Sequence, residues 1–247
     1  MNIFARYWHR FEALIPRGGF FHSEPGDLWF ASAVTLANGV YIVGLGWTEP
    51  HSEPGHSYMH LPEGSTKWIT NQLGSDNTPG VGGGACAVAI SPYQFLVIGG
   101  AGKESAQVLK YDEGAWAVWP PLSKRWVGHA CAKLGNEIII SGGVDDDGLD
   151  AIQTTTILNI STRKERRGGN MIMGRAGFGM AIVNNKLVVF GGGNGNMFLP
   201  GGSDLAMTDT IEEWNEDKET WSLREDRMQT PRGGLGYTAG PTSSFCG

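Results

Sequence analysis

Four apolar runs that end in glycine divide this chain into segments of similar length. The runs are rich in Val, Ile, Leu and Phe, and they end at Gly44, Gly99, Gly142 and Gly191. These glycines lie 55, 43 and 49 residues apart. Repeat architectures have periods of about 20–50 residues, so two of the spacings fall within that range and one lies slightly above it. The spacing therefore predicts a chain built from similar short-stranded units.

The fourth segment shows the repeated unit most clearly. An apolar run is followed by Asn184-Asn185, a pair suited to a tight turn because Asn tolerates left-handed conformations. A second apolar run leads to the glycines, and two further strands follow a long loop. The four predicted strands cover Gly179–Val183, Lys186–Phe190, 209–214 and the residues from Trp221 onward. One unit is therefore a four-stranded sheet.

The residues from Gly174 to Arg232 resemble a kelch repeat. That repeat combines a double glycine, an aromatic residue, a polar turn and a Trp about seven residues after the aromatic residue. Here Trp214 is the aromatic residue and Trp221 is the Trp that follows the turn. The resemblance covers about residues 8–240. It implies an all-β, kelch-like β-propeller with four recognisable four-stranded blades.

The chain is predicted to be one domain of 247 residues. The predicted blades cover 18–79, 80–124, 125–174 and 175–231, with partial strands at 1–17 and 232–247. Residues 15–19 (Ile-Pro-Arg-Gly-Gly) echo residues 230–234 (Thr-Pro-Arg-Gly-Gly), so the chain is expected to start on an outer strand and to finish, at 236–240, on an inner one.

The number of blades is left open. Four blades are fewer than the six or seven usual in kelch propellers, although closed propellers with four blades occur. The alternatives are a closed four-bladed ring, a ring with an incomplete fifth blade from both termini, and part of a larger propeller. An open ring would leave unpaired sheet edges, so self-association through these edges is an alternative as well.

Features that recur from blade to blade are interpreted as structural. The glycine pairs give the backbone positive φ where the second strand ends, and the recurring Trp residues are interpreted as wedges between blades. The structural set comprises Gly99, Gly100, Gly142, Gly143, Gly191, Gly192, Trp68, Trp116 and Trp221. The third blade has charged residues where its Trp is expected.

Arginines recur at the junctions between blades. They are Arg17, Arg125, Arg175 and Arg232, with Gly80 at that position of the second blade. A guanidinium has five donors that can tie loop carbonyls or a neighbouring acid. Some kelch-like domains also use loop arginines to hold acidic peptides, so Arg125 and Arg175 are binding candidates too.

Charge and cysteine content limit the classes of partner and compartment. The net charge of −6 argues against a nucleic-acid or membrane partner, each of which needs a basic face. No run of 18 apolar residues and no signal peptide is recognised. Cys86 and Cys131 lie in the similar tetrapeptides Gly-Ala-Cys-Ala (84–87) and His-Ala-Cys-Ala (129–132). They are predicted to be buried free thiols, and the expected location is cytoplasmic.

A histidine-rich loop is the candidate metal site. His51, His56 and His60 are weak candidates for metal ligands, because imidazoles bind Zn²⁺, Cu²⁺ or iron. Their spacing matches no zinc signature, so a polar surface loop is the favoured interpretation. Residues 145–150 are acidic but do not fit a calcium loop. No cofactor is predicted.

The loops supply the functional prediction. In kelch-like proteins, partners dock on the connections between the second and third strands, which here are 47–55, 101–105, 144–154 and 194–208. Met197, Phe198 and Leu199 are apolar residues in a loop, and apolar loop tips suggest a contact surface. We predict a non-catalytic protein-interaction module with protein partners of unspecified identity. The alternatives are a metal-dependent, oxidase-like enzyme using the His-rich loop, and a carbohydrate-binding propeller in which Trp47 stacks on a sugar.

Overall fold

A computed structural model describes residues 31–44, 57–73, 80–101, 106–144, 150–193 and 207–234. Within these ranges the chain forms sixteen β-strands and no helix, which confirms the all-β prediction. None of the described residues belongs to a helix that could cross a membrane.

The strands form four antiparallel sheets of four strands each, which we call blades 1 to 4. Blade 1 contains β1 (Ser32–Leu36), β2 (Gly39–Val43), β3 (Ser57–Pro62) and β4 (Ile69–Gln72), and blade 2 contains β5 (Cys86–Ser91), β6 (Gln94–Ile98), β7 (Val108–Asp112) and β8 (Ala115–Trp119). Blade 3 contains β9 (His129–Leu134), β10 (Glu137–Gly142), β11 (Thr155–Asn159) and β12 (Glu165–Arg167), and blade 4 contains β13 (Gly179–Val183), β14 (Lys186–Phe190), β15 (Thr210–Asn215) and β16 (Thr220–Arg227). In every blade each strand pairs with the next one along the chain.

Tight turns join the first two strands of each blade. In blade 4 the turn is Asn184-Asn185, and these residues have φ values of +50° and +59°. A two-residue hairpin turn of this type requires positive φ at both central residues, which Asn adopts at low cost. The turn predicted from the Asn pair is therefore confirmed.

The blades stack side by side, with the first strand of each packed against the first strand of the next, in a propeller-like arrangement. Three apolar cores fill the interfaces. The first core joins blades 1 and 2, the second joins blades 2 and 3, and the third joins blades 3 and 4. No comparable packing of β13 against β1 is described. The described part of the chain therefore does not form a closed ring.

The glycine pairs occupy crowded positions between blades. All six of these residues have positive φ, between +67° and +102°. A Cβ placed on Gly142 would lie 2.5 Å from the Arg175 carbonyl oxygen and 2.5 Å from the Phe178 ring. Both the backbone conformation and the close approach of blade 4 therefore require glycine at this position.

Two of the three recurring Trp residues lie between blades. Trp221 is buried in the third core, and its indole Nε1 donates to Thr155 Oγ1 of blade 3 at 3.0 Å. Trp116 packs edge-on against Tyr58 of blade 1, with ring centroids 5.4 Å apart. Trp68 is half-buried just before β4. In blade 3 the position equivalent to Trp221 holds Glu165.

Cys86 and Cys131 form a disulfide bond, so the prediction of free thiols is wrong. Their Cα atoms lie 6.0 Å apart, within the range that a disulfide spans. Cys86 is on β5 and Cys131 is on β9, so the bond joins the first strands of blades 2 and 3. The burial predicted for both side chains is confirmed.

Removing the disulfide is expected to lower the free energy of unfolding by about 2–4 kcal/mol. The bond closes a loop across 45 residues of sequence separation, and without it the unfolded chain regains that conformational freedom. Urea denaturation of the Cys86→Ser/Cys131→Ser variant measures the loss. Treating the protein with iodoacetamide in denaturant without reductant provides the control, because only Cys246 should then be modified. Three modified thiols in the denatured, unreduced protein would contradict the assignment.

Candidate functional site

The long connections of all four blades leave from the same end of the stack. They join the second strand to the third and cover 44–56, 99–107, 143–154 and 191–209. The segments that join one blade to the next lie at this end as well, because four antiparallel strands return the chain to its starting side. We call this the loop end.

The opposite end carries shorter connections, of two to six residues in the described blades. Strands β1 and β2 are joined by Ala37-Asn38, β5 and β6 by Pro92-Tyr93, and β9 and β10 by Gly135-Asn136. We call this the turn end. Because variable-length segments concentrate at the loop end, that end is the candidate recognition surface.

Arg175 lies beneath the loop end and is completely buried. Its guanidinium forms a salt bridge of 2.9 Å with Glu212, whose side chain is also fully buried. It further donates to the carbonyl oxygens of Gly191 and Thr210 and to Thr210 Oγ1. Burial lowers the pKa of the Arg175 guanidinium, and the Glu212 carboxylate opposes that effect. Arg175 therefore joins strands within blade 4, and no part of it is accessible to a partner.

Glu212 completes this network. Its carboxylate accepts hydrogen bonds from the backbone N–H groups of Ile172 (2.7 Å) and Met173 (3.1 Å). Those residues belong to the segment that leads from blade 3 into blade 4. The buried pair is thus satisfied on all sides, as buried charges must be, and it fixes the junction between two blades.

Trp126 occupies the position before blade 3 that Arg175 occupies before blade 4. The prediction that placed Arg125 at this junction is therefore wrong. The Arg175 carbonyl accepts from Gly143 N at 2.7 Å, and the Trp126 carbonyl accepts from Gly100 N at 2.9 Å in the same way. The bonds one residue further on, Val144 N to Val127 O and Ala101 N to Gly83 O, continue the pattern. These bonds make Gly82, and not Gly80, the equivalent residue before blade 2.

Arg125 is exposed at the loop end. It lies one residue before the buried Trp126 and does not repeat the contacts of Arg175. Of the predicted binding residues that lie within the described ranges, Arg125 is exposed and Arg175 is buried.

His129 is a buried polar residue that sequence analysis did not single out. It begins β9, and neither ring nitrogen has a hydrogen-bond partner. Burial lowers its pKa to about 3. The equivalent residue in blade 4 is Phe178, and both rings lie over the first glycine of a pair, Gly99 or Gly142. His129 therefore fills a space that an apolar ring fills in the next blade.

Acid is expected to destabilise the protein through His129. An unfolded histidine titrates near 6.5, so below that pH the unfolded state binds a proton that the folded state does not accept until about pH 3. Stability is unaffected above pH 6.5 and falls by about 1.4 kcal/mol per pH unit below it, or ~2–3 kcal/mol at pH 4.5. Urea melts at pH 7 and 4.5 of the native protein and of the His129→Phe variant check this. An equal loss in both proteins would contradict it.

The described part of the histidine-rich loop does not form a metal site. His60 stacks on Tyr41 with ring centroids 4.2 Å apart, and its Nε2 lies 3.2 Å from the Asn38 carbonyl oxygen. No group of three His, Cys, Asp or Glu side chains that could hold a metal occurs among the described residues. His51 and His56 lie outside the described residues.

The remaining predicted contact residues also lie outside the described residues. They are Trp47, Met197, Phe198 and Leu199. The strands that flank them are described, and these place the connections 44–56 and 191–209 at the loop end. The position of these residues along the chain, rather than a described side-chain geometry, makes them candidates.

A groove of about 200 Å³ at the turn end, between blades 3 and 4, is a further concave feature. Its lining includes Glu137, Glu219 and the ring of Trp214. Arg166 already bridges the two acids, at 2.9 Å from Glu137 and 2.5 Å from Glu219. This arrangement links blade 3 to blade 4 and commits both carboxylates to ion pairs with Arg166.

Comparison with known proteins identifies an architecture. No protein family profile matches the chain, and no curated protein sequence matches it. The solved structure titled "Structure of YjhT" is similar to this chain, with a TM-score of 0.62 over 83% of this chain and 67% of that one. The two sequences are 17% identical. The likeness is one of fold. It shows that a stack of four-stranded sheets like this one occurs in a solved protein.

Proposed function

We propose that this chain is a kelch-like β-propeller that acts as a non-catalytic protein-interaction module. The observation that carries the proposal is the asymmetry of the stack: the connections of nine or more residues within the blades are at the loop end, and those at the other end have two to six residues. A rigid scaffold with variable loops at one end is the common architecture of recognition proteins.

The chemistry of the described residues supports a binding role. The polar atoms of the fully buried ion pair, Arg175 and Glu212, form hydrogen bonds to each other and to neighbouring protein groups. His129 is neutral and enclosed. Catalytic sites need accessible groups whose pKa values suit proton transfer or nucleophilic attack, whereas the carboxylates of Glu137 and Glu219 in the turn-end groove are paired with Arg166.

The proposed partner is a protein, and the contact residues are Met197, Phe198 and Leu199 together with Arg125. Apolar side chains and an arginine in segments that belong to the same end of the stack suit a partner with an apolar patch flanked by acids, since aromatic, Met and Arg side chains are enriched at such interfaces. Because a disulfide joins blades 2 and 3, an oxidising compartment is favoured over the cytoplasmic location expected from the sequence.

Affinity capture with matched variants tests this function. The test variant changes Met197, Phe198 and Leu199 to Ser. The control variant changes Ile69, Tyr93 and Leu223 to Ser, three apolar residues that are 46–49% exposed and lie outside the loop end. We expect a partner that is retained by the native protein and by the control, and lost by the test variant. Equal capture by all three proteins, each with an unchanged thermal midpoint, would contradict the proposal.

A further inference from the structure

Blade 4 has an apolar face that no described sheet covers. Met180, Leu187 and Val189 point into the third core, and side chains alternate along a strand. Ala181 and Val188, which are paired across β13 and β14, therefore point to the opposite face. Ala181 is 8% exposed and Val188 is 3% exposed, although neither belongs to any of the three cores. The low exposure of these two side chains indicates that another segment covers this face of blade 4.

The backbone that follows β16 repeats the hydrogen bonds that precede blades 3 and 4. Gly128 N donates to Gly84 O at 2.9 Å, Gly177 N donates to Gly128 O at 2.9 Å, and Gly234 N donates to Gly177 O at 2.8 Å. The first two of these bonds stand immediately before β9 and β13. Gly234 occupies the same place relative to blade 4 as Gly177 does relative to blade 3.

A second bond of the same repeat confirms this equivalence. Arg232 O accepts from Gly192 N at 2.7 Å, as Arg175 O accepts from Gly143 N at 2.7 Å. Arg232 is thus the junction residue of a further unit. Unlike Arg175, its side chain is exposed, since the described residues include no third strand that could enclose it.

The sequence after Gly234 has the pattern of a first strand. Leu235, Tyr237 and Ala239 alternate with small or polar residues, and such alternation is typical of a strand with one apolar face. By position relative to the junction glycine, Leu235 corresponds to Phe178 and Tyr237 corresponds to Met180, a residue of the third core.

We propose that residues 235–240 pack beside β13 as the first strand of a fifth sheet and cover the face formed by Ala181 and Val188. The alternative of a four-bladed ring would instead place blade 1 on this face. That arrangement is disfavoured because β13 and β1 share no core, and because the bonds of Arg232 and Gly234 already start a new unit beside blade 4.

The native disulfide shows which positions of adjacent first strands face each other. Cys86 is two residues after Gly84, and Cys131 is three residues after Gly128. First strands of adjacent blades run in the same direction, so the next facing pair is four and five residues after the junction glycines. Between blades 3 and 4 that pair is Ala132 and Ile182, both of which contact the third core. Between blade 4 and the proposed strand it is Ala181 and Ala239.

Engineered cysteine pairs in the full chain carrying Cys246→Ser test the proposal. We expect Ala181→Cys/Ala239→Cys to form an intramolecular disulfide under mild oxidation, seen as a gel shift lost on reduction, and we expect the same of the positive control Ala132→Cys/Ile182→Cys. Ala181→Cys/Thr238→Cys is the matched control, because Thr238 would point to the other face of the strand. A dimer band would place a second copy of the chain on this face. Equal cross-linking of position 181 to position 239 and to position 238 would show an unstructured tail. Either result overturns the proposal.

Hydrogen exchange of the native chain gives a test that does not depend on cysteine geometry. Amides of residues 236–240 are expected to exchange more slowly than those of an unstructured peptide of the same sequence, since the segment would be buried against β13. Exchange of 236–240 at the rate of an unstructured peptide would overturn the proposal even if the engineered cysteines failed to react.

Discussion

Replacing Glu212 with alanine is expected to lower the free energy of unfolding by about 3–5 kcal/mol. The substitution leaves the Arg175 guanidinium buried with no counter-charge. It also removes the acceptor of the Ile172 and Met173 amides, and an orphaned buried donor costs free energy by itself. Urea denaturation of the native protein and the variant at pH 7 measures the loss.

A double variant separates the charge from the packing. Arg175→Met/Glu212→Leu removes both charges and keeps most of the volume, and apolar replacements of buried ion pairs are often neutral or stabilising. We expect it to be more stable than Glu212→Ala alone. A loss of less than ~1 kcal/mol for Glu212→Ala would show a pair that behaves as a solvated surface salt bridge and would contradict the buried network.

Replacing Trp221 with alanine is expected to cost about 3–5 kcal/mol, as truncation of large buried aromatics does. Trp221 packs in the third core beside Trp214, with ring centroids 5.1 Å apart. Its loss would open a cavity between blades 3 and 4 and remove the hydrogen bond to Thr155 Oγ1. The fall in thermal midpoint and in the urea midpoint provides the measurement.

The variant Trp221→Phe divides this effect. It keeps an aromatic ring between the blades but removes the Nε1 donor, so most of the stability should remain, with a loss of ~1 kcal/mol expected for the hydrogen bond. Trp68→Ala is the matched comparison, because Trp68 is half-buried outside the three cores. Equal losses for Trp68→Ala and Trp221→Ala would contradict the wedge role of Trp221.

The strands could be predicted because their signals are local. Short apolar runs, the Asn184-Asn185 turn and the glycine pairs each act within a few residues, and the structure has strands at these places. The wrong junction residue has a different origin. Matching Arg125 to Arg175 by residue type overlooked the spacing to the next glycine, which is two residues from Trp126 to Gly128 and from Arg175 to Gly177.

The disulfide was missed because it depends on two strands from neighbouring repeats. The matching tetrapeptides around Cys86 and Cys131 placed both residues on adjacent first strands, but the cysteines are two residues after Gly84 and three residues after Gly128. Because side chains alternate along a strand, this offset of one residue lets the two side chains face each other. The buried role of Glu212 was also readable in part. It lies two residues before Trp214, so strand alternation puts both side chains on one face. What no local pattern could supply was the partner, Arg175, 37 residues away.

Blades 2 and 3 are joined by a disulfide, whereas the described contacts between blades 3 and 4 are side-chain packing, hydrogen bonds and the Arg166–Glu219 salt bridge. In a stack where each unit touches only its neighbours, resistance to opening is set interface by interface. The central pair therefore forms a tethered unit, and stress applied along the chain ends should detach the flanking blades first. Under mechanical pulling, the 45-residue stretch enclosed by the disulfide would contribute no extension until the bond is reduced.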